Sequence, residues 1–149
     1  MIQGKWFSPG SDLSALLSVR ESVFGRGADD LDGSSWNALV LEDSVPAATG
    51  RIWWDNGSFW LGDIAVLEDH RRRHLGDLIL RLLLFKAQAH AAREVRLCCP
   101  VNLTGFFSRL GFRPQSSIDP DHVEMMIAGD AIDLDTCKNC PRSSCPGRK

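Results

Sequence analysis

Ala47–Trp54 and Ser58–Leu67 are apolar stretches separated only by Asp55-Asn56-Gly57. Asn-Gly is the strongest short hairpin signal, because both central residues of a type I′ turn need positive φ. Two long antiparallel strands are therefore expected here. Directly after them, His74–Ala92 repeats apolar residues at helical spacing. Leu75, Leu78, Ile79, Leu82 and Phe85 form one face, widened by Leu80, Leu83 and Leu84. A helix this apolar must lie closely on a sheet.

The flanking segments extend the pattern. Ile2–Phe7 reads as a strand, broken by Pro9-Gly10. Ser11 is a plausible N-cap for a helix through Leu13, Leu16, Leu17, Arg20, Val23 and Phe24, ended by Gly25 and Gly27. Residues 28–35 read as an acidic loop, Trp36–Glu42 as a strand and Asp43–Pro46 as a turn. Glu94–Cys99 reads as a strand stopped by Pro100, and Val101–Arg109 as a short helix closed by Gly111. Phe112–Gln115 and His122–Ala128 form a last strand pair. The order β-α-β-β-β-α-β-α-β-β predicts an α/β (α+β) fold with a mixed, mostly antiparallel central sheet flanked by helices.

The chain's 149 residues fit one domain. We expect it over residues 1–129, followed by a Cys-containing basic tail over 130–149. No apolar run is long and uncharged enough to span a membrane, and no secretory leader is visible at the N-terminus. The cytoplasm is the default compartment, and membrane partners are not expected. Formal net charge is −2, so bulk electrostatics do not favour nucleic acid. A homodimer is left open.

Besides the basic tail, which carries Lys138, Arg142, Arg148 and Lys149, positive charge gathers at Arg71-Arg72-Arg73. A strand through Asp63-Ile64-Ala65-Val66 runs into Leu67-Glu68-Asp69-His70, then Arg71-Arg72-Arg73-His74-Leu75-Gly76, then the apolar helix. A helix start leaves backbone N–H groups without partners and carries partial positive charge. Arginines beside it would strengthen the attraction for a pyrophosphate.

This stretch resembles the acyl-CoA signature of the GNAT N-acyltransferase superfamily, Gln/Arg-x-x-Gly-x-Gly/Ala. Arg71 matches its first position and Gly76 its last, while His74 stands where the first glycine is usual. Downstream, Asn102 and Phe106-Phe107-Ser108-Arg109-Leu110-Gly111-Phe112 resemble the family's Asn…(Phe/Tyr)-Tyr-x-x-Leu-Gly-Phe segment. The resemblance covers about residues 1–128 and is densest over 47–114. It implies acetyl-CoA, or a related acyl-CoA, as acyl donor. Ala65, Val66 and Leu67 would offer backbone groups to the pantetheine arm. The amides of Arg72, Arg73, His74, Leu75, Gly76 and Asp77 would hold the pyrophosphate. Asn102 would hydrogen-bond the pantetheine or its acyl end, and Phe106 and Arg109 would lie along the cofactor. The implied reaction is acetyl transfer to an amine of a small molecule or protein by direct attack.

The proton-transfer groups are read from the residues. The tyrosine that protonates the leaving thiolate in many members aligns with Phe107, and the chain contains no Tyr. Ser108, Cys99 and His122 are alternative donors. Asp63 and Glu68 are candidate bases. Asp63 is expected on the face of Phe59, Leu61 and Ala65, where desolvation would raise its pKa; the other reading is a structural carboxylate bonded to an arginine. Glu68 resembles the acidic residue common after this strand in the family, or is an exposed loop acid. The missing Tyr also allows a second function, a catalytically weak or inactive acyl-CoA-binding regulatory module. Cys137-x-x-Cys140-x-x-x-x-Cys145 has spacing that would ligate zinc or an iron–sulfur group if a fourth ligand were supplied. An oxidisable tail is the other reading.

Overall fold

The computed structural model describes residues 1–134. Seven strands form one sheet: β1 (Ile2–Phe7), β2 (Ser35–Glu42), β3 (Val45–Asp55), β4 (Ser58–Val66), β5 (Glu94–Pro100), β6 (Arg113–Asp119) and β7 (His122–Ala128). Their spatial order is β1-β2-β3-β4-β5-β7-β6. Every pairing is antiparallel except β4 with β5. That parallel step follows from the crossover helix α2 (Leu75–Ala89), which carries the chain back to the same end of the sheet. Helices α1 (Ser14–Phe24) and α3 (Thr104–Ser108) complete the fold. Among the described residues, no helix is long and apolar enough to cross a membrane.

Asn56 (φ 51°) and Gly57 (φ 84°) make the expected positive-φ turn between β3 and β4. A second tight turn joins β2 to β3 through Asp43 (φ 52°) and Ser44 (φ 69°). The turn anticipated over residues 43–46 is therefore shorter, because Val45 and Pro46 already pair with β2. Ser11 does not cap α1. That helix begins at Ser14, whose amide donates to Asp12 Oδ1 at 3.0 Å. Asn102 lies inside a 3-10 turn over Val101–Leu103, which precedes α3. Ile132 is buried in the main core, so packing continues past residue 129.

The helices lie on opposite faces of the sheet. Ala38, Val40, Ile52, Leu61, Val95 and Leu97 pack with Ile79, Leu80, Leu83 and Leu84 of α2. Leu39, alternating with them along β2, packs with Leu16 of α1 and with Leu13 just before it. Gly50 is where α2 comes closest to β3: a Cβ there would sit 2.7 Å from Ile79 Cγ2 and 3.0 Å from Leu83 Cδ1.

Candidate acyl-CoA site

Between β4 and α2 the chain turns through Arg72 (φ 66°) and His74 (φ 62°), both left-handed. His74 thus occupies the backbone geometry that a glycine adopts without cost. It is the N-cap of α2 and gives the helix no side-chain hydrogen bond. The amide of Leu78 bonds the His74 carbonyl at 3.0 Å. The amides of Leu75, Gly76 and Asp77 precede that ladder and point out of the helix end. They border a cleft of about 280 Å³ whose walls include Arg71, Arg72, His74, Phe106 and Arg109. Arg71 is held over the end of β4 by its Nε, which donates to the Val66 carbonyl at 3.0 Å. The Arg109 guanidinium lies 5.8 Å from the Phe106 ring centre. Asp77, a carboxylate in an otherwise cationic cleft, is paired with Arg81 at 2.8 Å. Leu67 lies at the foot of this turn, its amide donating to the Ala47 carbonyl at 2.8 Å.

Arg73 departs from the expectation that all of the arginine triplet serves one site. It turns to β2 and pairs with Glu42 at 2.8 Å. Hydrogen bonds from His70 and then Arg73 hold the Glu42 carboxyl below the usual carboxylate range. This anchors the turn to the sheet. Gly76 is small for a local reason: a Cβ there would lie 3.6 Å from Phe106 and 3.7 Å from Val66. Alanine fits that space and a large side chain does not.

The cleft leads along β4. β4 and β5 pair only at Phe59–Val95, Trp60–Arg96 and Leu61–Leu97. Beyond Leu61 the two strands separate, leaving the β4 backbone from Gly62 to Val66 facing a gap. An apolar groove of about 390 Å³ follows this edge past Ala65 and Phe106 and shares Val66, Arg71 and Gly76 with the arginine-lined cleft. It also shares Phe24, Ile64, Leu103 and Phe107 with a third cleft of about 380 Å³, which contains Arg26, Asp63, Cys98, Cys99 and His122. An arginine-lined end, an extended backbone edge and a mixed polar end therefore share walls in sequence. The residues fit an acyl-CoA. Arg71, Arg72, Arg109 and the α2 amides would hold its phosphates, and its thioester would supply the activated acyl group.

Asp63 is not on the face of Phe59 and Leu61, as strict alternation requires. The pairing of β3 with β4 slips between Thr49 and Arg51, and Asp63 has φ 52°. This bulge turns its carboxylate to the α1 side. There it meets Arg51 Nη2 at 3.0 Å and both Nη atoms of Arg26, with Arg20 Nε at 3.7 Å. It is an arginine-paired carboxylate within a larger buried cluster. Arg20, fully buried, donates to Asp32 at 2.8 Å and to Asn37 at 2.9 Å, and Arg51 also reaches Asp29 at 2.6 Å. Burial alone raises the Asp32 carboxyl, but hydrogen bonds from Arg20 and the Asp29 amide outweigh it and hold the group at about 2.

The sequence profile of the acetyltransferase (GNAT) domain matches residues 34–114, more than half of the chain. The chain belongs to the GNAT acetyltransferase family. Solved GNAT structures share its fold. An acyl-CoA N-acyltransferase from Pseudomonas aeruginosa superposes with a TM-score of 0.78 at 20% identity, covering 86% of this chain and 100% of that one. Escherichia coli ElaA gives 0.71 at 23% identity, covering 85% and 99%. The PaiA N-acetyltransferase from Thermoplasma acidophilum, solved in complex with coenzyme A, gives 0.68 at 12% identity, covering 86% and 99%. No curated protein sequence matches the chain.

Within this GNAT domain the remaining candidates are scattered. Phe107, at the position of the family's tyrosine, is buried and lines both the apolar groove and the third cleft, where it has no proton to give. Ser108, one residue on, is rotated to the exposed side of α3 and lines none of the three clefts. Glu68 is exposed in a 3-10 turn over Glu68–His70 and also lies outside them. Asn102 is exposed and does not line the apolar groove, which Leu103 beside it borders. Burial pushes the Cys98 and Cys99 thiols up. Sequence reasoning missed Phe24 and Leu103 as groove walls, because both read as ordinary helix-face residues. Among the described residues no group of three or more His, Cys, Asp or Glu is arranged to hold a metal ion. Cys137, Cys140 and Cys145 lie outside the described residues.

Proposed function

We propose that the protein is an acyl-CoA-dependent N-acetyltransferase that passes the acetyl group of acetyl-CoA to an amine of a small molecule or protein by direct attack. The observation that carries this reading is the uncapped start of α2, with Arg71, Arg72 and Arg109 around it, opening onto the unpaired edge of β4. Oriented amides and guanidinium groups suit a pyrophosphate, and an unpaired strand edge suits a chain of amide groups. Family membership supports the same chemistry.

The experiment is coenzyme A release from acetyl-CoA in the presence of a panel of amines, with binding of acetyl-CoA measured in parallel. Amine-dependent release supports transfer. Phe107 favours a second reading, an acyl-CoA-binding module with little turnover, because the position that carries a proton donor in many relatives is here a buried hydrocarbon. Saturable binding with no release across the panel selects that second reading.

A further inference from the structure

Besides Arg26, the third cleft holds four titratable side chains that differ in their freedom to move a proton: Asp63, Cys98, Cys99 and His122. Asp63 directs both oxygens at guanidinium groups of Arg26 and Arg51. Those N–H donors already occupy its oxygens. The two thiols are pushed up by burial, and Cys99 already donates to Met125 Sδ at 3.8 Å. They hold protons rather than take them. His122 is different. Its Nδ1 lies 3.0 Å from Asp119 Oδ1 and 3.2 Å from Oδ2. A ring that donates from Nδ1 keeps Nε2 as an acceptor.

Its position in the sheet also matters. His122 opens β7 opposite Pro100, the last residue of β5, beyond the point where β5 has left β4. Cys99 and Val123, the neighbouring pair, face the α2 core, so alternation puts His122 on the other face with Cys98 and Glu124. That is the face on which Asp63 meets Arg20 of α1. The phosphate cleft opens at α2. A thioester laid in the gap between β4 and β5 would be met by an amine from the α1 face, beside His122.

We propose that His122 is the general base for the acceptor amine, with Asp119 as its positioning residue; the proposal rests on the N-acetyltransferase reading above. Nε2 takes one proton from the ammonium. The freed nitrogen attacks the thioester carbonyl carbon, so that a C–N bond forms and the C–S bond breaks. The sulfur leaves with the bonding pair and receives the second proton that the nitrogen loses. The imidazolium returns its proton to water, so an ammonium and a thioester become an amide, a thiol and one proton. The charged and titratable groups around His122 are Asp119 from β6, Asp121 from the turn, Cys98 from β5, Glu124 from β7, and Arg26 and Asp63 across the cleft.

The test compares two classes of nucleophile with wild type and His122→Gln. Basic primary amines (alkylamines, amino acids, short peptides) are protonated at neutral pH and need a base, whereas hydroxylamine is not and does not. With the best basic amine, His122→Gln should lower kcat/KM by about 100-fold. With hydroxylamine it should stay within about threefold of wild type, since no proton need be removed before attack. Equal losses with both nucleophiles, or no loss with either, overturn the role of His122 while leaving acetyl transfer standing. No turnover of any nucleophile by wild type overturns both. A second variant tests Asp119. Asp119→Asn should lower kcat/KM with the basic amine and leave hydroxylamine within about threefold of wild type, because the ring loses the carboxylate that holds its Nδ1–H and leaves Nε2 as acceptor. Equal losses with both nucleophiles, or none with either, remove Asp119 as the positioning residue.

Discussion

Asp32 shows how single residues hold this fold. It is almost fully buried and accepts from Arg20, with Arg51 at 3.2 Å. Its folded pKa of about 2 lies below the unfolded carboxylate value. Stability from this group is therefore complete above about pH 4 and is lost as pH falls toward 2, amounting to roughly 2 kcal/mol. Asp32→Asn should cost about 3–5 kcal/mol at pH 7, because two buried guanidinium groups keep their charge and lose a partner. It should also flatten the acid limb of urea-unfolding stability between pH 4 and 2. A cost under 1 kcal/mol would show that the cluster does not hold the fold. The sequence signal for this cluster was slight: Arg20 falls at core spacing among the apolar residues of α1, and the acids of 29–32 read only as a loop. Its partners come from β3 and β4 and are joined by folding alone. His74 is the other informative residue. An αL position penalises a β-branched side chain, so His74→Val should lose about 1–2 kcal/mol in urea unfolding, while His74→Gly changes stability by under about 1 kcal/mol.

Among the elements, the β3–β4 hairpin and α2 were legible because their signals are local: Asn56-Gly57 for the turn and a broad leucine face for the helix. The β4 bulge is not legible from alternation, which puts Asp63 on the opposite face, although Gly62 within a strand is the usual mark of one. The register of a strand depends on both neighbours, and here the slip lies in the pairing with β3. The contact of α2 with β3 is testable on its own. Gly50→Ala would press a methyl group into Ile79 and Leu83, both fully buried. We expect a loss of about 1–3 kcal/mol by chemical denaturation, with weaker acyl-CoA binding as α2 shifts outward. Unchanged stability would mean that α2 packs less tightly on the sheet than described.

At the scale of the whole molecule, the separation of β4 from β5 joins the arginine-lined start of α2 to the polar cleft on the α1 face. A ligand occupying this length binds the folded chain alone, so acetyl-CoA at a hundred times its Kd should add about 2.7 kcal/mol of stability. Arg71, Arg72 and Arg109 are exposed, so the affinity should fall as salt is raised. The measurement that bears most directly on the account is equilibrium binding of acetyl-CoA to the full chain, by calorimetric titration, for wild type, Arg71→Glu and Gly76→Trp. Wild type should bind saturably, and Arg71→Glu and Gly76→Trp should each weaken binding by at least about tenfold, the first by reversing a charge at the phosphates and the second by filling the cleft against Phe106 and Val66. Binding of equal strength in all three proteins, or none in wild type, would contradict this assignment of the acyl-CoA site.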